Sequence, residues 1–322
     1  MKFSVIIPVL NSKKYLVPCL EWIFYAAERC DHQVEVIVID NGSSDGSWEI
    51  LQAMEAEGKL VAKKLTDVTV SAVRNYGAGC STGDALCFYD SDCLMLWDYF
   101  EKAAMVLAHW DATGCKVDLP ANANWIEKAW YEIHATFKDG PVNYINSGNF
   151  LIKREVFQRI GGFDATLTTC EDVEICYRLK EMGFTLYESH TVRAVHLGGD
   201  RNLGVFFRKN VWRGLGMMQL KGVRRIALIS EAHVGCLVAA IASLFLTLPV
   251  LPRIILFVLL FNLAPAAMVA YRSSKIWNIY SVFRLGLLFR AMFLYHLYFL
   301  ARFLSVWKTT VGRSQVVPSA GN

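Results

Sequence analysis

The run Ala85–Tyr89 is apolar throughout and typical of a buried strand, and two carboxylates, Asp90 and Asp92, follow it directly. Two acids at the mouth of a buried strand are unfavourable unless a cation meets them. A divalent ion, Mg²⁺ or Mn²⁺, that carries a diphosphate would supply this charge. The alternative is that the acids cap the next helix, whose apolar pattern begins at Leu94.

Short apolar strands alternate with helices before this run. The predicted elements are, in order, Lys2–Val9, residues 12–30, Val34–Ile39, residues 47–57, Leu60–Leu65 and residues 69–82. Such alternation favours an α/β fold, with a mainly parallel sheet and helices on both faces. Ligands of these sheets bind at the carboxyl ends of the strands, where Asn11, Asp40 and the Asp90/Asp92 pair are predicted to lie.

Two further residues of this region allow a functional and an ordinary interpretation. Asp40 can accept hydrogen bonds from a base or a ribose, but the Asp-Asn-Gly turn that it begins also satisfies it. Arg74 lies on a helix of small residues just before the Asp90 strand. It can bind a phosphate or the acids, or it can be a solvated surface side chain.

An acidic pair begins the helix that runs from Val173 to Gly183. The carboxylates Glu171 and Asp172 can supply a general base for a hydroxyl that attacks an anomeric carbon. They can also be ordinary acids at a helix N-terminus. His196 can be a third metal ligand, because imidazole suits Mn²⁺-type sites, or it can be structural.

Two long uncharged runs lie in the C-terminal third. Ala232–Pro252 and Ile254–Tyr271 reach or nearly reach the length of a bilayer span. Because only Pro252-Arg253 separates them, the sequence predicts a tight hairpin or a re-entrant pair over about 232–271. Bases bracket this hairpin at Arg224, Arg225, Arg272 and Lys275. Their positions predict that both ends lie on the cytoplasmic side of an inner membrane.

A third apolar stretch, Leu285–Trp307, is interrupted by Arg290, His296 and Arg302. That pattern favours an amphipathic helix in the membrane interface, over about 284–307, rather than a third span. The alternative for the whole region is a set of core helices in a soluble domain.

Charge divides along the chain in a similar way. Arg201–Asn322 holds fifteen lysines and arginines and one acid, Glu231, whereas the preceding residues are net acidic. A basic, apolar segment favours an anionic membrane surface. Because its bases flank long apolar runs, nucleic acid is not the expected partner.

Six segments, over roughly residues 3–215, together resemble glycosyltransferase family 2, the inverting enzymes of GT-A fold. In order they are VIIPVLN, VIVIDNGSSDGS, VRNYGAGCSTGDALCFYDSDC, SGNFLIKREVFQRIGGFD, CEDVEICYRLKEMGF and VHLGGDRNLGVFFRKNVWRG. They are similar in turn to the family's first strand, nucleotide-binding turn, Arg-Asn helix with D-x-D, acceptor loop and catalytic E-D helix. The last is similar to an ending seen in bacterial exopolysaccharide and lipid-linked-sugar members.

The resemblance implies a role for each matching residue. The nucleotide would contact Pro8, Asn11, Asp40, Asn41, Ser43, Arg74 and Asp90. The metal, Mg²⁺ or Mn²⁺, would be held by Asp90, Asp92 and His196. The catalytic base would be Asp172, with Glu171 beside it. The acceptor would contact Ser147, Gly148, Asn149, Arg208 and Trp212.

The resemblance also implies a GT-A catalytic domain over residues 1–215 and a membrane region over 216–322. The expected reaction moves a sugar from a nucleotide-diphosphate sugar to a hydroxyl of a lipid-linked (polyprenyl) saccharide, in cell-surface polysaccharide or glycolipid synthesis. A processive, cellulose-type synthase is disfavoured, because the run Arg208–Arg213 lacks the Q-x-x-R-W that many members have there.

Two alternatives to this function remain. One is a polyprenyl-phosphate sugar synthase, and the other is a non-catalytic, nucleotide-binding scaffold of a polysaccharide assembly complex. An NAD-type enzyme is disfavoured further, because no G-x-G-x-x-G follows the first strand.

Overall fold

A computed structural model of the chain describes residues 1–115, 117–134, 139–220, 224–276 and 285–311. The chain forms two compact units. The first comprises Met1–Asn122 with Thr136–Gly199, and the second comprises Ala123–Ala135 with Asp200–Asn322. The predicted domain boundary near residue 215 falls within a helix of the second unit, and the domain assignment stays a prediction.

Strands and helices alternate through the first unit, and helices alone make up the described part of the second. The strands are β1 (Lys2–Val9), β2 (Gln33–Asp40), β3 (Val61–Lys64), β4 (Ala85–Tyr89), β5 (Cys93–Met95), β6 (Ala112–Gly114), β7 (Gly140–Pro141), β8 (Asn149–Lys153), β9 (Leu186–Glu188) and β10 (Ala194–His196). The helices are α1 (Lys13–Ala27), α2 (Ser47–Ala56), α3 (Val70–Gly79), α4 (Tyr99–Leu107), α5 (Trp125–Glu132), α6 (Arg154–Arg159), α7 (Glu171–Glu181), α8 (Leu203–Met217), α9 (Arg224–Ser243), α10 (Val250–Ile276) and α11 (Leu285–Val311).

Eight strands form one sheet in the order β3-β2-β1-β4-β8-β6-β9-β7. Strands β3, β2, β1 and β4 run parallel, and β8 is antiparallel to both β4 and β6. Six of the eight strands therefore share one direction, and the predicted α/β fold with a mainly parallel sheet is confirmed. The short strands β5 and β10 form a separate antiparallel pair.

Apolar side chains of β1 cover both faces of the sheet. Val5 and Ile7 pack with Leu16 of α1 on one face, whereas Ile6 packs with Phe88 in a second cluster. Successive residues of a strand point to opposite faces, so a continuous apolar run is what a strand buried on both sides requires. Burial of the strands on both faces holds their carboxyl ends in place, and the polar residues of the candidate site follow these ends.

The prediction that a helix begins at Leu94 is wrong. Leu94 lies in β5, which pairs with β10 in the register His196↔Cys93, and α4 begins only at Tyr99. Asp98 is the N-cap residue of α4, so capping by Asp90 or Asp92 is also wrong. The local sequence is apolar in either state, and the pairing with a strand a hundred residues away decides the conformation.

Helices α8 to α11 and α5 build the second unit. Tyr295 and Phe299 of α11 are buried against α5 and α10, and Leu294 packs with Phe206 of α8. Two of the described helices are long and apolar enough to cross a membrane, over Val250–Arg272 and Gly286–Thr309. Only 11% of the first window is buried, which is unlike a core helix of a soluble domain.

The predicted hairpin break at Pro252-Arg253 is wrong. Helix α9 ends at Ser243 and α10 begins at Val250, so the connection comprises residues 244–249. Pro252 lies in the first turn of α10, where a helix needs no N–H donor. The Arg253 guanidinium instead donates to the Leu244 carbonyl across this connection, at 3.3 Å. Of the predicted interfacial helix, residue 284 lies outside the described residues, and Leu285–Trp307 lies within α11.

Candidate functional site

The loops after β1 and β2 are joined by hydrogen bonds. The backbone N–H of Asn11 donates to Ser43 Oγ at 2.9 Å, and the N–H of Ser44 donates to Asn11 Oδ1 at 2.9 Å. Asn11 has φ of 51°, a left-handed conformation that asparagine tolerates better than most residues. Pro8 lies within β1 and is paired in register with Ile39 of β2.

Asp40, the last residue of β2, is completely buried. Its Oδ1 accepts the N–H groups of Gly42 and Ser43, each at 3.0 Å, so the turn interpretation holds for this oxygen. Its Oδ2 is buried and has no hydrogen-bond partner among the described residues, and the same is true of Asn41 Oδ1. Buried acceptors of this kind are unfavourable unless a donor reaches them, and a bound nucleotide carries such donors.

Arg74 is 3% exposed, so its interpretation as a solvated surface residue is wrong. Its Nη1 donates to Glu171 Oε1 at 2.6 Å, and its Nη2 donates to Asp90 Oδ1 at 2.9 Å. Small residues on α3 let this helix lie close to β1, since a Cβ on Gly77 would lie 2.5 Å from Ile6. One guanidinium therefore connects the end of β4 with the start of α7.

The surroundings of Asp90 and Glu171 are completed by the segment before β8. Ser147 Oγ donates to Glu171 Oε1 at 2.9 Å. A Cβ on Gly148 would lie 2.6 Å from Asp90 Oδ2, so only glycine fits there without movement. Burial raises the pKa of the Asp90 carboxyl, and the Asp92 charge adds to this although Arg74 opposes it.

Asp172 lies at the N-terminus of α7 and is 9% exposed. Tyr144 donates its hydroxyl to Asp172 Oδ2 at 2.7 Å, and the N–H of Val173 donates to Oδ1 at 2.8 Å. Burial and the neighbouring Glu171 charge raise the pKa of Asp172 to about 6. A carboxyl with such a pKa is a suitable general base near neutral pH.

Asp92 and His196 are brought together by the pairing of β5 with β10. His196 Nε2 lies 3.2 Å from Asp92 Oδ2, and the potential ligand atoms of Asp92, Cys93 and His196 all lie within 4.8 Å of one another. A Cβ on Gly198 would lie 1.9 Å from Asp92 Oδ2, so the backbone closes tightly around this carboxylate. A carboxylate with an imidazole is a donor set that suits Mn²⁺.

This cluster of potential ligand atoms is not the predicted set of Asp90, Asp92 and His196, because it contains Cys93 in place of Asp90. Asp90 is not among these clustered atoms, because its carboxylate pairs with Arg74. Cys93 was not predicted, and burial raises the pKa of its thiol well above the usual value. Thiolates favour softer metals than Mg²⁺ or Mn²⁺, so the fitting donors for such an ion are Asp92 and His196.

The predicted acceptor residues fall into two groups. Ser147 and Gly148 lie beside Glu171 and Asp90, as described above. Asn149 is completely buried, and its side chain bonds Tyr99, the Cys115 carbonyl and the Val192 carbonyl, so it holds the interior of the fold. Arg208 and Trp212 are exposed on α8 of the second unit.

Sequence reasoning missed Tyr144 and Asn146 as partners of Asp172. Asn146 Nδ2 lies 3.4 Å from Asp172 Oδ2 and 3.3 Å from the Tyr144 hydroxyl. The nearest signal was the position of both residues directly before the predicted acceptor loop. Nothing in the spacing indicated that they would face a helix that begins 27 residues after Tyr144.

A family model described as Glycosyl transferase family 2 matches residues 4–161. Residues 4–161 of this chain form a glycosyltransferase family 2 domain. The matched segment contains Asn11, Asp40, Arg74 and Asp92 but ends before the Glu171-Asp172 pair. The predicted family is thus confirmed for this part of the chain.

Named glycosyltransferases resemble the chain over different lengths. Glycosyltransferase AglE of Haloferax volcanii is 27% identical over 233 residues, which is 70% of this chain and 76% of that protein. The uncharacterized glycosyltransferase YfnE of Bacillus subtilis is 38% identical over 103 residues, 32% of this chain and 26% of that protein. An undecaprenyl-phosphate 4-deoxy-4-formamido-L-arabinose transferase of Klebsiella pneumoniae is 40% identical over 100 residues, 28% of this chain and 29% of that protein.

The fold also has counterparts among solved structures. The mannosyltransferase PcManGT of Pyrobaculum calidifontis, in complex with GDP-Man and Mn²⁺, matches with a TM-score of 0.58 and 16% identity. The match covers 96% of this chain and 86% of that protein. The GT-A fold expected from the sequence is confirmed.

Proposed function

We propose that this glycosyltransferase moves one sugar from a nucleotide-diphosphate donor to a hydroxyl of a lipid-linked saccharide, with inversion at the anomeric carbon. The observation that carries the proposal is the ion-pair chain Asp90–Arg74–Glu171, which leads from the end of β4 to the residue beside Asp172. It connects Asp90, which would lie near the bound donor, with the start of the helix that carries the proposed base, Asp172.

Asp172 is the general base of this proposal. Its pKa of about 6 leaves it ionised at neutral pH yet basic enough to take a proton from a hydroxyl that is attacking. The acceptor oxygen forms a bond to the anomeric carbon while the bond from that carbon to the diphosphate breaks. The diphosphate leaves with the bonding electron pair, and the acceptor proton goes to Asp172.

The donor would bind along the carboxyl ends of β1, β2 and β4. The unpartnered Oδ2 of Asp40 would accept a hydrogen bond from the nucleoside, with Pro8, Asn11, Asn41 and Ser43 beside it. Arg74, 2.9 Å from Asp90, would bring positive charge to the diphosphate.

A divalent ion, Mg²⁺ or Mn²⁺, would be held by Asp92 and His196, with Asp90 nearby. The carboxylate and imidazole donors and the closely fitting Gly198 support this assignment, and the related PcManGT structure contains Mn²⁺. When bound, such an ion would offset negative charge on the departing diphosphate.

The acceptor would be polyprenyl-linked, and the enzyme would bind it at the cytoplasmic face of the inner membrane. Two apolar helices in the second unit support membrane association, and the Klebsiella relative acts on an undecaprenyl phosphate by its name. We assign residues 1–215 to catalysis and residues 216–322 to the membrane. The saccharide hydroxyl would contact Ser147 and Gly148, which lie beside Glu171 and Asp90. The product would enter surface-polysaccharide or glycolipid synthesis.

The similarity to the Klebsiella enzyme favours one second candidate, transfer of the sugar to a polyprenyl phosphate itself. The two acceptors differ in chemistry, because a phosphate oxygen is already ionised and needs no general base. Asp172→Asn should therefore abolish transfer to a hydroxyl and leave transfer to a phosphate largely intact.

The test is a donor panel with detergent-purified protein. Nucleotide sugars are incubated with Mn²⁺ and either a polyprenyl-diphosphate saccharide or a polyprenyl phosphate, and lipid products are identified by mass spectrometry. A sugar added to the saccharide supports the proposal, and a sugar added to the phosphate supports the second candidate. Tight nucleotide binding without any product would indicate the non-catalytic scaffold instead.

A further inference from the structure

We infer that Tyr144 is a positioning residue for the general base, holding Asp172 Oδ2 so that Oδ1 takes the acceptor proton. The inference rests on the proposed function, in which Asp172 is the base. It concerns a residue that the sequence motifs did not indicate.

The two oxygens of Asp172 have different surroundings. Oδ2 accepts the Tyr144 hydroxyl at 2.7 Å and faces Asn146 Nδ2 at 3.4 Å, so two donors occupy it. Among the described residues, Oδ1 accepts a hydrogen bond only from the Val173 N–H, at 2.8 Å. A carboxylate oxygen has two lone pairs, so a free lone pair remains on Oδ1 and not on Oδ2.

Asn146 is itself held in place. Its Oδ1 accepts the N–H of Gly148 at 2.8 Å, and its Nδ2 also lies 3.3 Å from the Tyr144 hydroxyl. This loop before β8 therefore presents the tyrosine and the amide to Asp172 as one group. The shorter of the two contacts to the carboxylate is that of Tyr144, which makes it the main donor.

The Tyr144 side chain extends from the protein surface to the buried carboxylate. The residue is 44% exposed although its hydroxyl reaches a carboxylate that is 9% exposed. Burial of the hydroxyl beside Asp172 raises the pKa of Tyr144 well above its usual range, so it stays a proton donor in the hydrogen bond. A fixed donor holds the base in one rotamer before an acceptor arrives.

Other groups around Asp172 set its ionisation together with Tyr144. Glu171 on the same helix disfavours the charged form, while Arg74 of α3 and the Tyr144 hydrogen bond favour it. Cys176, one turn further along, is neutral because burial raises the pKa of its thiol to about 12. Loss of the Tyr144 hydroxyl therefore removes one of few groups that favour the carboxylate.

Tyr144→Phe tests the inference by a readout that a purely structural role would not move. Removal of the hydrogen bond should shift the acid limb of the kcat/KM profile to higher pH by about one unit, since hydrogen bonds to charged groups are worth about that much. Asn146→Ala should shift the limb in the same direction by less, and provides a second variant if the first does not fold. Tyr177→Phe, exposed on α7, is the matched control and should leave the limb unmoved.

A direct titration separates this inference from the proposed function. Infrared difference spectra of wild type against Asp172→Asn isolate the protonated carboxyl band of Asp172 over a pH series, without any substrate. A midpoint that rises in Tyr144→Phe supports the inference, and an unchanged midpoint in folded Tyr144→Phe and Asn146→Ala overturns it. Full transfer to a saccharide hydroxyl by Asp172→Asn overturns the proposed function whatever the spectra show.

Discussion

Arg74 and Glu171 form a buried ion pair, with Nη1 of the arginine 2.6 Å from Oε1 of the glutamate, across 97 residues of sequence. The side chains are 4% and 7% exposed, so water does little to stabilise either charge. The same guanidinium bonds Asp90, which lies beside the proposed diphosphate position. The proposed donor half and the proposed base half of the site therefore share one cation.

Arg74→Met should lower the free energy of unfolding by about 3 kcal/mol or more, because removal of one partner leaves the buried Glu171 carboxylate unpaired. Urea unfolding in detergent, followed by near-ultraviolet circular dichroism, measures this loss. Lys63→Met, at an exposed position of β3, is the control and should change stability by about 0.5 kcal/mol or less. Equal stability of the two variants would show that the pair is not a buried one.

The pH dependence of catalysis should follow Asp172. A general base acts only when deprotonated, so kcat/KM should be constant above a pH of about 6 and fall about tenfold per unit below it. The fall begins at this pH because the pKa of Asp172 is raised. An aspartate with the ordinary pKa of 3.8 would leave kcat/KM unchanged down to about pH 4. Initial rates from pH 4.5 to 8 measure the limb, and a rate that is unchanged at pH 5 would contradict the assignment.

Gly198→Ala should weaken metal binding, because its Cβ would lie 1.9 Å from Asp92 Oδ2 and must displace this carboxylate. We expect the half-saturating Mn²⁺ concentration to rise about tenfold or more, as for loss of a ligand's proper orientation. Gly79→Ala is the control, because nothing lies within 4 Å of the added carbon. Calorimetric titration with Mn²⁺ measures both variants, and equal affinities would place the metal elsewhere.

Membrane insertion should depend on α10. Leu259 is 63% exposed near the middle of Val250–Arg272, and a charge at the centre of a span costs about 2.5–3.5 kcal/mol of insertion. Leu259→Arg should therefore release protein from membranes on alkaline extraction, whereas Met105→Arg, which adds the same charge to exposed α4, should not. Equal extraction of both variants would indicate that α10 does not enter the bilayer.

The sequence predicted the strands and helices that have strong local signals. Lys2–Val9 and Ala85–Tyr89 are apolar runs bounded by turns, and both strands have the predicted bounds. Leu94 was misassigned because β5 exists only through its pairing with β10, a contact that local periodicity does not contain. The break near Pro252 was misplaced because proline in the first turn of a helix looks the same in sequence as proline in a loop.

The residues of the candidate site that follow the ends of parallel strands were predictable from the sequence. Asp40 and Asp92 lie where parallel strands end, so their neighbourhood follows from the topology. The division between Asp90, which pairs with Arg74, and Asp92, which meets His196, depends on side-chain directions after β4. Tyr144 was missed because its contact with Asp172 joins a loop to a separate helix, and no spacing rule relates them.

The most direct test of this account is the rate of sugar transfer to a lipid-linked saccharide hydroxyl by Asp172→Asn, with saturating donor and Mn²⁺. The amide keeps the shape of the carboxylate, and an unchanged thermal midpoint would show that the fold is retained. We predict that the rate falls by a factor of about 10² or more, the usual contribution of general base catalysis. Transfer at the wild-type rate would contradict the assignment of Asp172 as the base.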